Sequence, residues 1–170
     1  WMLGTLAHYD ASKRVDYGDM PELEKLMLHR LAEIAPVIRA AYETYDYRKV
    51  VSELSLFLNT DLSAFYFDIR KDTLYCDPLS SKARLASLSC IEIIFSAVTR
   101  WLAPILVFTA EEAWKTFGTS ESIFFETFHR FEASDTALLQ KWQRIREIRE
   151  AVNKDIETVR ASGQLGSSLQ

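Results

Sequence analysis

The sequence predicts an all-α protein, an antiparallel bundle of four or five long helices, and three observations lead to that fold class. Apolar side chains recur at steps of three and four residues over most of the chain, which is the spacing of one helix face. Only 5 Gly and 4 Pro interrupt 170 residues, so long helices are favoured over many short strands joined by turns. With 48% apolar residues, among them 10 Phe, 7 Tyr and 4 Trp, the chain can build a large core.

The first elements follow from apolar spacing and from the positions of proline. Residues 1–9 are amphipathic and are expected to be the last turns of a helix, whereas residues 10–20 show no helical period and are expected to form a loop. Because the chain starts with Trp rather than Met, we expect it to be a piece of a longer protein. Pro21 suits a first helical turn, and the apolar residues after it predict a helix up to Tyr45, kinked at Pro36.

The most regular apolar stripe predicts one unbroken helix from Asp46 to Arg70. The phase of the stripe survives the polar run 59–61, so the helix is expected to continue through it. Residues 72–81 are expected to be a connection, because Pro78 disfavours helix at the residue before it. The members of the stripe step by 3, 4, 4, 3 and 4 residues: Val51, Leu54, Leu58, Leu62, Phe65 and Ile69.

A buried helix and a short capped helix are predicted next. Residues 82–103 are apolar nearly all round, which predicts the central and most buried helix of the bundle. Thr109 and Glu112 match a capping box, in which the threonine hydroxyl accepts a hydrogen bond from the Glu112 N–H. This motif predicts the start of a short helix that stops at Gly118.

The last third of the chain predicts a strap and a long helix. Residues 119–133 are rich in aromatic side chains and lack a helical period, so they are expected to lie over the bundle as an extended strap. A helix is expected from Asp135 to Ala161, with Gly163 just after its end. Its apolar stripe consists of Trp142, Ile145, Ile148, Val152, Ile156 and Val159.

Composition excludes several classes of function. The net charge of −4 and the pI of about 5.4 leave no global positive field for a long nucleic acid, although a local basic patch stays possible. Cys76 and Cys90 are the only cysteines, which excludes a disulfide framework and a four-cysteine zinc site and suits reduced thiols in the cytoplasm. No apolar run reaches about 18 residues and no signal peptide is recognisable, so no membrane association is expected.

No catalytic residue and no metal site are predicted in this chain. The phosphate-binding GxxxxGK[ST] loop, GxGxxG and GxSxG are all missing from the sequence. Glu126 and His129 form only half of a carboxylate–histidine metal motif, and they lie in a segment without helical period. The other polar candidates have structural explanations: Glu111 and Glu112 at a helix N-terminus, and His29 with Glu33 as a surface pair.

Residues 63–75 combine aromatic and charged side chains at the end of the predicted second helix. Tyr66 and Arg70 are i,i+4 neighbours, and so are Phe67 and Lys71. Because Phe65 and Ile69 belong to the core stripe, both pairs lie off its centre line and are expected nearer to solvent. Readers of single-stranded RNA stack bases on aromatic rings and bind base edges and phosphates with charged groups. The alternative is that the rings belong to the core and the charges to a solvated helix end.

The same residues carry a resemblance to a known family. "DLSAFYFDIRKDTLYCD" (61–77) resembles a signature of bacterial-type isoleucyl-tRNA synthetases, which are class I enzymes. "RWLAPILVFTAEEAW" (100–114) resembles a segment that the isoleucyl, valyl and leucyl enzymes share. A third resemblance lies in residues 146–170, "REIREAVNKDIETVRASGQLGSSLQ", which are similar to the next helix of these enzymes and to a short segment typical of the isoleucyl enzymes. Residues 1–6, "WMLGTL", resemble the end of the helix that leaves the catalytic core.

The resemblance implies that tRNA binding and catalysis lie in different domains of a longer enzyme. The family activates isoleucine with ATP and loads it on tRNA, but its HIGH and KMSKS motifs are absent here, so the catalytic core would lie upstream, outside this chain. Residues 1–9 would be the end of the helix that leads from that core. Residues 10–134 would be the helical bundle that binds the anticodon arm, and residues 135–170 a long C-terminal helix with a truncated junction.

The resemblance also indicates cofactors and partners. No cofactor is expected in this chain, whereas the parent enzyme would use ATP and Mg²⁺, and a zinc-binding segment is possible downstream. The expected partners are the anticodon arm of tRNA(Ile) and the other domains of the same parent chain, in a monomeric cytoplasmic enzyme. Two alternatives stay open: a helical protein-interaction bundle without RNA function, and the anticodon domain of a valyl or leucyl enzyme.

The chemistry of the 61–77 motif suggests which residues contact RNA. Arg70 and Lys71 are the leading candidates, Asp68 and Tyr66 are candidates for base-edge contact or stacking, and residues 1–7 form a neighbouring wall. Secondary candidates for phosphate contact are Arg48, Lys49, Lys82 and Arg84.

Overall fold

The computed structural model describes residues 1–7, 9–118 and 121–162, and it divides into two units, Trp1–Ser134 and Asp135–Gln170. The described residues contain helices and no strand, so the all-α prediction is confirmed. A π-helix, Phe57–Phe67, joins two of the α-helices without a break. The α-helices are α1 (Met2–Leu6), α2 (Glu22–Glu43), α3 (Tyr47–Leu56), α4 (Asp68–Cys76), α5 (Lys82–Leu102), α6 (Val107–Thr116) and α7 (Thr136–Ala161).

Side-chain hydrogen bonds show how the helices of the first unit run. Near the start of α5, the Ser87 hydroxyl donates to Glu24 near the start of α2, at 2.9 Å. Near the end of α2, the Tyr42 hydroxyl donates to the carbonyl of Trp101 near the end of α5. Helices α2 and α5 are therefore parallel. The continuous rod of α3, π-helix and α4 returns antiparallel to both, as expected for consecutive helices of a bundle.

The core lies between α2, this rod and α5. Helix α5 is the most buried element, as predicted, with more than half of its 21 residues buried. It is long and apolar enough to cross a membrane, but 67% of its most apolar window is buried inside the fold, as in the core helix of a bundle. Side chains with 0% or 1% exposure include Leu31, Ile38, Val50, Leu54, Phe57, Leu62, Ile91, Ile94 and Trp101.

One helix passing through Pro36 is confirmed, whereas two boundaries elsewhere differ from prediction. Helix α2 continues through Pro36 without a break. The rod runs to Cys76, so the prediction of a connection from residue 72 is wrong; Leu74 is buried, and the helix ends only where Asp77 is extended before Pro78. The capping box is also wrong, because α6 starts at Val107 and Thr109 lies inside it.

The strap is confirmed for residues 121–133. Phe128 packs against Tyr42 of α2 with ring centroids 5.3 Å apart, and Phe131 lies 6.2 Å from Trp101 of α5. A short 3₁₀ turn, Ile123–Phe125, buries Ile123 against the bundle. Residues 119 and 120 lie outside the described part of the chain.

The second unit is built on α7, which confirms the predicted last helix. Asp135 caps it by accepting a hydrogen bond from the Leu138 N–H at 3.0 Å. The expected stop at Gly163 lies outside the described residues. Its apolar stripe is present but part-exposed, with Ile145, Ile148, Val152 and Ile156 between 37% and 52% exposed.

Candidate nucleic-acid interface

Two of the four candidate residues in the 61–77 motif bind a buried carboxylate, and the other two do not. Glu24 is fully buried, and its two oxygens accept hydrogen bonds from the Arg70 Nε and Nη2 at 2.7 Å each. The Tyr66 hydroxyl donates to the same carboxylate at 3.1 Å, and the Ser87 hydroxyl at 2.9 Å. We call these four residues the Glu24 cluster. It links α2, the rod and α5 through one bidentate ion pair and two neutral donors.

The π-helix explains why this cluster faces inward. In a π-helix each N–H pairs five residues back rather than four, so the rod is locally unwound and its buried face shifts along the sequence. The shift moves the core from Ile69, which is 39% exposed, to Tyr66, which is fully buried. The expectation that Tyr66 and Arg70 lie nearer to solvent is therefore wrong. The Asn59 amide and the Thr60 hydroxyl donate to carbonyls four residues back, at 2.8 and 2.7 Å, in the unwound segment.

A second ion pair supports the π-helix. Asp61, whose side chain is only 4% exposed, accepts from Arg30 of α2 at 3.1 Å. Glu33 also pairs with Arg30. Asp61, which lies between members of the predicted apolar stripe, is thus a buried ion-pair partner of α2.

Burial controls the ionisation of the Glu24 cluster. Desolvation raises the pKa of Tyr66 well above its usual 10.0, so the phenol stays neutral and can donate to Glu24. Desolvation also raises the pKa of the neighbouring Cys90 thiol, which keeps it protonated. For Arg70, desolvation lowers the pKa, but hydrogen bonds to Glu24 outweigh that effect and the net shift is upward. Arg70 is therefore a permanent cation held inside the bundle.

Lys71 does face solvent, as predicted, and it pairs with the exposed Asp68. The Lys71 ammonium lies 3.2 Å from Asp68, and their side chains are 57% and 45% exposed. Phe67 packs on Trp1 with ring centroids 4.0 Å apart, so α1 forms a wall beside this surface. Whether Asp68 and Lys71 contact RNA stays a prediction.

Next to this surface lies a cleft between α1, α4 and the start of α5, which we call the Trp1 cleft. Its volume is about 380 Å³. The Trp1 indole N–H donates to the Tyr75 hydroxyl at 3.0 Å, and these two rings are 54% and 65% exposed. Its lining residues are Trp1, Gly4, Thr5, Leu74, Tyr75, Leu79, Arg84 and Leu88.

Arg84 provides the charge in the Trp1 cleft. One guanidinium nitrogen donates to the carbonyl of Asp77, whereas the buried Nε–H has no hydrogen-bond partner. That buried atom is out of reach of a ligand, but the Arg84 guanidinium lines the cleft and carries the positive charge with which a phosphate or a base edge can pair. Lys82 is exposed in the same first turn of α5.

Arg48 and Lys49 are not part of this surface. They lie in the first turn of α3, beside the end of α2, whereas the Glu24 cluster lies at the start of α2. Since α2 has 22 residues, the two ends of the bundle are about 33 Å apart at about 1.5 Å per residue. The eight predicted contact residues thus fall into a buried pair, a surface around the Trp1 cleft and a distant third group.

Sequence reasoning missed Glu24, Tyr75 and Leu79. A signal for Glu24 was present, since a carboxylate directly beside Leu23 and shortly before Met27 falls on an apolar helix face. Tyr75 belongs to the aromatic segment 63–75, but the connection predicted from residue 72 removed it from any helix face.

The candidates set aside as metal ligands have structural partners. Glu126 pairs with Arg100 at 2.9 Å, and His129 lies beside the same guanidinium. Burial, followed by the positive charges of Arg100 and Arg14, lowers the pKa of His129 from 6.5. Within the described ranges there is no group of three or more His, Cys, Asp or Glu that could hold a metal ion. Glu111 accepts hydrogen bonds from Ser122 and from the Ile123 N–H.

Comparison with known proteins agrees with this architecture. The family model described as the anticodon-binding domain of tRNA ligase matches residues 24–170. Over its full length the chain is 52% identical to the isoleucine–tRNA ligase of Rhodopseudomonas palustris, 50% to that of Bradyrhizobium diazoefficiens and 49% to that of Brucella abortus. It spans 17–18% of the length of these relatives. On this match, the chain belongs to the family of anticodon-binding domains of tRNA ligases.

Proposed function

We propose that this chain holds the anticodon arm of tRNA(Ile) for a cytoplasmic isoleucine–tRNA ligase, whose catalytic core lies in another part of the parent chain. The core would use ATP and Mg²⁺ to form the isoleucyl adenylate. The chain would contribute remote binding energy that places the acceptor end of the tRNA at that core. The names of the relatives support isoleucine over valine or leucine.

The observation that carries this proposal is the Trp1 cleft. Two exposed aromatic rings line the cleft together with the Arg84 guanidinium, and Lys71 and Lys82 supply exposed positive charge nearby. Unpaired anticodon bases can stack on such rings, while their edges and phosphates accept hydrogen bonds from the cations. The long helices hold these groups in a fixed arrangement, which limits the ordering cost of binding.

Fluorescence anisotropy with a labelled tRNA(Ile) anticodon stem-loop tests the proposal, at two salt concentrations and with a changed anticodon as the comparison. We expect preference for the cognate loop and a steep loss of affinity with salt, because neutralised phosphates release counterions. A base that stacks on an aromatic ring gains about 1–3 kcal/mol, so Tyr75→Ser should weaken binding about tenfold.

Phe108→Ser is the matched control, because Phe108 of α6 is an 88% exposed aromatic residue outside the cleft. It should leave the affinity unchanged. Equal, salt-insensitive binding to both loops would overturn the anticodon assignment and favour a protein-binding bundle. Equal effects of the two substitutions would overturn the assignment of the cleft.

A further inference from the structure

A groove between α2 and the strap lies outside the surface that the proposed function uses. Two clefts of about 480 and 320 Å³ open there, and we call them together the strap groove. Both clefts are lined by Ala32 of α2 and by residues 129–132 of the strap, so they adjoin each other. Sites for small molecules commonly have volumes of about 300–1,000 Å³. The strap groove is therefore large enough to hold a small ligand.

The smaller cleft offers an apolar surface between fixed rings. On one side the Tyr17 hydroxyl shares a hydrogen bond of 2.8 Å with His29, and the two rings meet at 89°. On the strap, the ring centroids of His129 and Phe131 lie 4.8 Å apart. Walls held in this way suit the apolar side chain of a ligand. The aliphatic residues of the lining are half-buried and leave apolar surface uncovered: Leu28, Ala32 and Ile93.

Pro36 leaves one backbone acceptor of α2 without its helical donor. Since proline has no N–H, the Ala32 carbonyl lacks the partner four residues on that a carbonyl inside an α-helix normally has. Ala32, Ala35 and Pro36 all line the larger cleft, so this carbonyl borders the strap groove. The alanine side chains are short and let a ligand come close to the backbone. A donor on the ligand would find an acceptor there.

The strap places one positive and one negative side chain at the rim of the groove. Arg130 and Glu132 are exposed, and each lines both clefts. Residues two apart in an extended segment project to the same side, and Phe131 between them is half-buried. Within the described part of the chain, neither charged side chain forms a hydrogen bond or an ion pair. A ligand that carries one charge of each sign can pair with both.

We propose that the strap groove binds a free α-amino acid with an apolar side chain. Arg130 pairs with the α-carboxylate, whereas Glu132 and the Ala32 carbonyl accept hydrogen bonds from the α-ammonium group. The side chain lies on the aliphatic surface of the smaller cleft, out of water. The two opposite charges select a zwitterion, because Glu132 repels a ligand that carries only negative charge. This inference does not depend on RNA binding.

Nuclear magnetic resonance titration of the ¹⁵N-labelled chain with L-isoleucine tests the proposal. L-isoleucine is the probe because the relatives are isoleucine–tRNA ligases. Two analogues each lack one charge: L-isoleucinamide has no carboxylate, and 3-methylpentanoate has no ammonium group. We expect saturable shifts of the signals of residues 129–132 with L-isoleucine. The Kd of either analogue should be at least about tenfold higher, because a hydrogen bond between charged groups is lost.

Two substitutions assign the charges. R130Q should raise the Kd of L-isoleucine about tenfold and leave that of L-isoleucinamide unchanged, since the amide has no carboxylate to pair. E132Q should raise the Kd of L-isoleucine and leave that of 3-methylpentanoate unchanged or lower. Loss of folding would instead weaken binding of every ligand. The matched control is R48Q, which removes an exposed arginine of α3 outside the groove and should leave each Kd unchanged.

P36A tests the role of the Ala32 carbonyl. Alanine restores the N–H that pairs with this carbonyl inside α2, so the Tm should rise. The Kd of L-isoleucine should rise about threefold, because the ammonium group loses one acceptor. Binding of 3-methylpentanoate should not change. Weaker binding by a more stable protein separates loss of contact from loss of folding.

Three results would overturn the proposal. The first is the absence of saturable shifts with L-isoleucine, and the second is an equal Kd for L-isoleucine and both analogues. The third is wild-type binding of L-isoleucine by both R130Q and E132Q. Because the titration contains no RNA, these results leave the anticodon-arm proposal standing, and the failure of one proposal is distinguishable from that of the other.

Discussion

Substitution of Arg70 by Met should destabilise the protein strongly, because it leaves a buried carboxylate without its cation. The Glu24 side chain is 0% exposed and the Arg70 side chain 18% exposed, so little solvent reaches the pair. Breaking a buried ion pair from one side costs about 3–5 kcal/mol, whereas an exposed pair contributes about 0–1 kcal/mol. Methionine fills a similar space, so the loss would come mainly from the unpaired charge. We therefore expect the free energy of unfolding to fall by about 3–5 kcal/mol.

The double variant E24Q/R70M shows whether charge is the cause. A neutral amide still accepts hydrogen bonds from Tyr66 and Ser87, so this variant should recover about half of the loss. Urea unfolding followed by circular dichroism measures all three proteins, provided that the m-value does not change. Lys71→Met is the control one residue further along α4, where the exposed pair with Asp68 should contribute less than about 0.5 kcal/mol.

A fall of less than about 1 kcal/mol in Arg70→Met would refute the reasoning, because the pair would then behave as a solvated one. So would a double variant that is less stable than the single one. If the expected loss is found, weak RNA binding by Arg70 variants reports on folding of the bundle. Lys71 and the residues of the Trp1 cleft are then the proper probes of RNA contact.

Three further predictions concern other parts of the molecule. The pKa of His129 is lowered in the folded protein, so the unfolded chain takes up a proton first as the pH falls. The free energy of unfolding should therefore decrease below about pH 6.5. Urea titrations at several pH values measure this, and His129→Gln should flatten the pH dependence. Cys76 is exposed and Cys90 is buried with a raised pKa, so a thiol reagent should modify one thiol in the native protein and two in denaturant; two reactive thiols before unfolding would contradict the packing of α5. The third prediction uses a Rhodopseudomonas palustris ligase that carries this chain in place of its own segment. In that enzyme the double substitution Lys71→Gln and Lys82→Gln should lower tRNA aminoacylation several-fold. A parallel loss of isoleucine-dependent ATP–pyrophosphate exchange would contradict a role limited to tRNA.

The long helices could be predicted from the sequence, because each of them buries one face and its apolar residues therefore recur every three or four positions. The stripe from Leu23 to Tyr45 and the nearly all-apolar segment 82–103 correspond to α2 and α5. The capping box at Thr109 failed, since the same residue pattern is compatible with the interior of a helix that starts two residues earlier. Local motifs of four residues do not determine which turn begins a helix.

The candidate site was only partly predictable, for a physical reason that the rod illustrates. A period of 3.6 residues assigns Ile69 to the core and Tyr66 to its edge, but the π-helix changes the angle between successive residues and reverses that order. The buried polar groups of the rod find their partners on another helix, Arg30 for Asp61 and Glu24 for Arg70. Those partners are 31 and 46 residues away in sequence, beyond the reach of any local pattern.

The sequence by itself determined the helical fold class, the order of the long helices and the family resemblance, because apolar periodicity and a motif are properties of neighbouring residues. Only the tertiary structure decided which charged residues remain available for RNA. It placed Arg70 inward on Glu24, left Lys71 in solvent, and separated Arg48 from the Trp1 cleft by the length of α2. Desolvation and ion pairing depend on what lies across the bundle, and contacts between distant residues form only when the chain folds.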